Sequence, residues 1–212
     1  IEFIATTEGA LNDLQYHAAL KGTGYEKRVV TTFRPDDVVD ADRADFADNI
    51  AKLAEITGED TSNYQGYLQA LRIRRQVFRE HGATATDHGH PTAKTADLSA
   101  TEAAALYQKC LAGNANSQET ELFRAQMLTE MAGMSLVDGM TMQIHPGAHR
   151  NHNSQIFQKF GPDKGADIPS PTEFVSNLKP LLEKYGNEAA LTIILFTLDE
   201  TTYARELAPL AG

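Results

Sequence analysis

What this chain of 212 residues has little of narrows it quickly. Its single cysteine, Cys110, excludes an intrachain disulfide. That residue sits in the apolar run Ala103-Ala104-Ala105-Leu106-Tyr107-Gln108-Lys109-Cys110-Leu111, where it reads as a small buried hydrophobe and not as a nucleophile. No apolar stretch approaches the roughly 18 to 20 residues that span a bilayer, and no signal-peptide pattern opens the chain, so a cytoplasmic protein is expected. Basic residues are in deficit, 19 Lys and Arg against 29 Asp and Glu for a net charge of -10. Nucleic acid and anionic membranes both demand a basic face, and neither is expected as a partner. Arg72, Arg74, Arg75 and Arg79 do cluster on a predicted helix, and they are predicted to form a solvated face. There is no GxGxxG or GxxxxGK[ST] loop, no serine in a nucleophile-elbow setting, no low-complexity segment and no internal repeat.

What is present is an ordinary globular composition, 42% hydrophobic and 23% charged, enough for one sizeable domain. Five stretches read as strands: residues 2–7, 28–33, 83–91, the run opening at Met140, and 190–198. The last is the longest apolar run and is predicted to be buried on both faces. Between them lie helical patterns. Phe46, Ile50 and Leu53 form one stripe closed by Gly58, and a second helix covers about 61–80. Ser99 and Glu102 form a capping box, a methionine stripe (Met127, Met131, Met134) reads as core filling, and Ser170 with Glu173 predicts another box. Pro180 predicts a kink or break in the helix that follows, and Asp199 is predicted to cap the last one. Strands alternating with helices argue a parallel α/β protein, and the missing phosphate loop favours a barrel over a doubly wound sheet. A (β/α)8 barrel needs eight strands and about 250 residues, so five strands look like the middle of one. The expectation is a single incomplete barrel domain over 1–212, with helical insertions around 41–82 and 92–139.

Polar side chains gather where these strands end, as in barrel active sites. Arg34 follows the second strand, Asp87, His88 and His90 end the third, and the fourth releases His145, His149, Arg150, Asn151, His152 and Asn153. Arginine matches a carboxylate with a planar fork, and paired His and Asp exchange protons near neutral pH, which suits an anionic substrate undergoing proton transfer. A metal reading stands beside it: His88-Gly89-His90 is an H-x-H whose side chains project to one side of an extended chain, with His145 as a third ligand.

The motifs Phe33-Arg34-Pro35-Asp36, Thr86-Asp87-His88-Gly89, Gln143-Ile144-His145-Pro146-Gly147-Ala148-His149-Arg150-Asn151-His152-Asn153 and Gly161-Pro162-Asp163-Lys164-Gly165-Ala166-Asp167 resemble the uronate (glucuronate) isomerases of the amidohydrolase superfamily. Ile4-Ala5-Thr6-Thr7 and the closing Leu195-Phe196-Thr197-Leu198-Asp199-Glu200 are similar to the same family. The resemblance keeps its order over nearly the whole chain, and the stretch 143–153 is its most specific part.

The resemblance implies a distorted (β/α)8 barrel and an aldose–ketose isomerisation, D-glucuronate to D-fructuronate or D-galacturonate to D-tagaturonate. It implies Asp87 and His145 as catalytic residues, Arg34, Arg150 and His88 as substrate contacts, and a homo-oligomer. It also implies a divalent metal such as Zn2+, whose ligands, an H-x-H on the first strand and an aspartate on the last, are expected outside this chain. No residue of the chain is therefore assigned as a metal ligand. The isolated 212 residues are expected to be inactive. Two rivals remain: a metal-dependent hydrolase using His88, His90 and His145, and a non-catalytic barrel fragment.

Overall fold

Short runs of β-branched residues form the centre of the molecule, and helical crossovers force them to run parallel. A computed structural model describes residues 1–162, 164–165 and 167–211. Strands β1 (Ile4–Gly9), β2 (Val29–Arg34), β3 (Ala85–His88) and β4 (Thr141–Ile144) are followed by two short strands, β5 (Ala148–His149) and β6 (Ile168–Pro169), and then by β7 (Ile193–Leu195). The main sheet has the order β1-β2-β3-β4-β7 and is parallel throughout. It is the α/β architecture expected of part of a barrel. The β5–β6 ribbon pairs antiparallel and pins the loop after β4, a feature too short for any periodicity to reveal.

Helices connect the strands. They are α1 (Gln15–Ala19), α2 (Asp36–Val39), α3 (Phe46–Thr57), α4 (Tyr64–Glu80), α5 (Ala100–Leu111), α6 (Ser117–Asp138), α7 (Ser154–Phe160) and α8 (Val175–Tyr185), with α4 packed against β2 and α6 against β4. A last helical stretch passes through a π-helical turn, Tyr203–Leu207. Among the described residues no helix is long and apolar enough to cross a membrane. The core lies between α4, α5, α6 and the sheet. Phe33 meets Phe78 edge-on at 5.0 Å, Tyr67 stacks on Tyr107 at 4.7 Å, and the methionine stripe is buried as expected. Cys110 is buried too.

Local signals hold where nothing distant competes. Ser99 and Glu102 form the capping box of α5, Gly58 and Gly139 end α3 and α6 in the left-handed region, and Asp199 caps the final helix. A further box of Asn116 and Glu119, not among the expectations, opens α6. Four expectations need correction. Arg74 and Arg75 are buried, not solvated: Arg74 donates to the carbonyls of Ala10 and Asn12, and Arg75 grips Asp138 at 2.6 Å and Ser135. The predicted box at Ser170 does not start α8, because Glu206 accepts from the amides of Phe174 and Val175 and fixes the start there. The helix also runs through Pro180 unbroken. Thr95 supplies the partners that the proline disturbs, donating to the Asn177 carbonyl at 2.7 Å and accepting from Leu181 N. The strand at 190–198 is shorter than predicted and covered on one side only, with Ile194, Phe196 and Leu198 exposed.

Candidate active site

Alternation along a strand sends neighbouring side chains to opposite faces, and β3 shows the consequence most clearly. Thr86 and His88 face the helices with no exposed surface, whereas Asp87 faces away from them. The register places Phe33 opposite Thr86, so Arg34 follows beside Asp87. Asp87 lies opposite Gln143, and His145, two residues on, shares that face. Three of the sequence candidates therefore meet at the carboxyl ends of the strands. His145 Nε2 lies 2.7 Å from Asp87 Oδ1, and Arg34 Nη1 lies 3.5 Å from Asp87 Oδ2.

Arg34 is held from a second side. Its Nε donates to Asp36 Oδ2 at 2.7 Å, and that carboxylate also accepts from the Gly89 amide at 3.2 Å. Gly89 is what lets Arg34 pass. A Cβ at this position would overlap Arg34 Nη2 and stand 2.9 Å from His145 Cε1. Gly147, at φ +83°, likewise lets the chain after β4 turn against Thr172, where a Cβ would overlap the hydroxyl.

Arg150 arrives from the loop after β4, where its Nε lies 3.3 Å from Asp167 Oδ1, both side chains partly open to solvent. An open cavity of about 840 Å3 is lined by Arg34, Asp36, Asp37, Gly89, Arg150 and Asp167, among others. A smaller one of about 210 Å3 joins Arg150 and Asp167 to His145 and Phe196. The two share Arg150 and Asp167 and form one mouth. Its first cavity alone falls in the range of small-molecule sites. Asp37 is half-buried beside it, and desolvation pushes its carboxyl above the usual carboxylate range, against the amides of Ala10 and Leu11.

His88, expected as a substrate contact, lies apart from the open mouth. It is fully buried on the helix-covered side, with Nε2 2.9 Å from the Thr86 hydroxyl. Burial, reinforced by neighbouring His90, holds its imidazole well below the ordinary histidine range; burial lowers His90 as well, with Asp36 opposing. Nor does His145 join the H-x-H pair. The third donor beside it is Asp36: among the described residues Asp36, His88 and His90 bring one donor atom each within 4.8 Å of one another. His88 Nδ1 and both ring nitrogens of His90 are buried without a hydrogen-bond partner among the described residues. Two neutral imidazoles and a carboxylate suit a divalent metal. Asp36, Asp167 and Gly89 were quoted in the sequence motifs without a role. The signal for Asp36 was its spacing of two from Arg34 at a strand end. Asp163 and Ala166 of the loop motif lie outside the described residues.

The glucuronate isomerase family model matches residues 1–212. Uronate isomerases of Phenylobacterium zucineum and Rhizobium meliloti are 57% and 59% identical over all of this chain, which spans 44% and 45% of them. The glucuronate isomerase structure from Caulobacter crescentus superposes over the whole chain and 44% of its own length, with a TM-score of 0.95 at 55% identity. The uronate isomerase structure from Thermotoga maritima does so over 47% of its length, at 0.91 and 27%. The chain thus spans a little under half the length of the relatives it matches. With the family model matched from end to end, the chain belongs to the glucuronate isomerase family.

Proposed function

We propose that the protein carrying this chain interconverts D-glucuronate with D-fructuronate, and D-galacturonate with D-tagaturonate. The 212 residues are read as one incomplete barrel domain, with helical insertions around 41–82 and 92–139, that contributes much of the substrate pocket. The observation that carries the reading is the 2.7 Å contact of His145 with Asp87, flanked by Arg34 and facing a mouth that also holds Arg150.

The reaction moves a proton from C2 to C1 through an enediolate, while the C2 hydroxyl becomes a carbonyl and the C1 carbonyl a hydroxyl. A group that takes and returns one proton must titrate near neutral pH and be held at the reacting carbon. Asp87 fits the role of orienting His145: with Nε2–H donated to Asp87, Nδ1 is left as the basic nitrogen. Arg34 and Arg150 bind the substrate carboxylate or hydroxyls. Arg34 is already aligned by Asp36 and Asp87. Arg150 exchanges Asp167 for the substrate at little cost, since a solvent-open pair contributes about 0–1 kcal/mol. The divalent metal that the family implies supplies Lewis-acid polarisation of the reacting oxygens when bound, from ligands expected outside this chain.

The test is turnover by the full-length protein with Arg34→Lys and Arg150→Lys. Lysine keeps the charge and loses the fork, so both variants are expected to lose about tenfold or more in kcat/KM, a cost of about 1.4 kcal/mol or more. Unchanged turnover in both refutes the assignment.

A further inference from the structure

At the ends of β2 and β3, the buried imidazoles of His88 and His90, neither of them part of the Asp87–His145 pair, converge with the Asp36 carboxylate that also holds Arg34. We propose that Asp36, His88 and His90 form a second divalent-metal site, structural in character, which ties the end of β2 to the end of β3.

Four observations carry it. The three donor atoms lie within 4.8 Å of one another, and an ion with bonds of roughly 2.0–2.2 Å draws them closer by small side-chain rotations. His88 presents Nδ1 unpartnered while Nε2 sits 2.9 Å from the Thr86 hydroxyl. That division is typical of a ligating histidine, whose second nitrogen is fixed by an outer partner. Both nitrogens of His90, a side chain only 4% exposed, lack hydrogen bonds among the described residues, and such orphans destabilise the fold if left unmet. Finally, Asp36 divides its oxygens: Oδ2 takes Arg34 Nε at 2.7 Å and the Gly89 amide at 3.2 Å, while Oδ1 takes only a long 3.4 Å bond from the same amide and faces His90 Nε2 at 3.8 Å. Burial keeps both imidazoles neutral, the form that binds metal. The donor set favours Zn2+ or Co2+ over Mg2+ or Ca2+, which select oxygen. Three protein donors leave the remaining position to water.

The experiment uses the full-length protein, stripped with a chelator and titrated with Co2+, with bound metal counted by elemental analysis and followed by visible absorption. The wild type is expected to hold one Co2+ per chain more than His88→Ala or His90→Ala. Taking the difference cancels any metal held by segments outside this chain. His90→Cys is expected to keep the ion and add a thiolate-to-cobalt charge-transfer band in the near ultraviolet, absent from the wild type. Thr86→Val removes only the outer partner and is expected to weaken this site by about 10- to 100-fold. Equal metal content in the wild type and both alanine variants, with no new band in His90→Cys, overturns the site and leaves the orphaned nitrogens to water. If an alanine variant does not fold, His90→Cys and Thr86→Val decide alone. The titration reads no turnover, so its failure and that of the isomerase reading are separable.

Discussion

Asp87 and His88 are neighbours in sequence and opposites in circumstance. Asp87 stands on the face without helices, 14% exposed, paired with His145 and Arg34. His88 stands on the face packed by helices, with no exposed surface and a nitrogen left unpartnered. The difference teaches how one short strand serves two tasks: odd residues face the open mouth, and even residues face the scaffold. Each face should therefore fail differently when altered.

The largest effect is expected on the open face. Asp87→Asn keeps the shape but loses the charge that fixes the His145 tautomer, and it should lower kcat of the full-length enzyme by about 10²- to 10⁴-fold with Tm unchanged. An equal loss of Tm would erase the distinction between the faces. On the covered face, Phe33→Ala should cost about 3–5 kcal/mol of stability, measured by denaturant unfolding, because its buried ring packs on Phe78 and beneath Arg75. Gly89→Ala tests the boundary between the two. The added methyl displaces Arg34, and a misplacement near 1 Å costs about 10²-fold in rate, read as kcat/KM with the fold retained by circular dichroism. Smallest of all is the response of Cys110, deep in the helical layer. Its thiol is pushed up to about 12 by burial, aided by the charges of Glu119 and Asp42. At pH 8 the folded chain should resist alkylation that proceeds readily in urea.

Much of this arrangement was legible in the sequence, for reasons that can be named. The β-branched runs at 4–9 and 29–34 and the capping residues Ser99 and Asp199 act through neighbours only, so their elements followed from local rules. Arg34, Asp87 and His145 were visible because polar residues at strand ends have few other reasons to be there. The phase of the strand was not visible. Alternation says that residues 87 and 88 part company, but the packing of α4 on β2 and of α6 on β4, which no strand pattern encodes, decides which one turns inward. The same distance hid the Glu206 cap of α8 and the splint of Thr95 across Pro180. It also hid the burial of Arg75, whose partner Asp138 lies 63 residues away.

The one-sided cover of β7 has a practical consequence for anyone handling this stretch by itself. β1 and β7 stand at the two edges of the sheet among the described residues, with unpaired backbone groups along their outer sides. Ile194, Phe196 and Leu198 add an exposed apolar row at one of them. An open edge of this kind templates pairing with a second chain. Solutions of the isolated 212 residues should therefore thicken into concentration-dependent aggregates. Such self-association reports the bare edge, not the quaternary structure of the full-length protein.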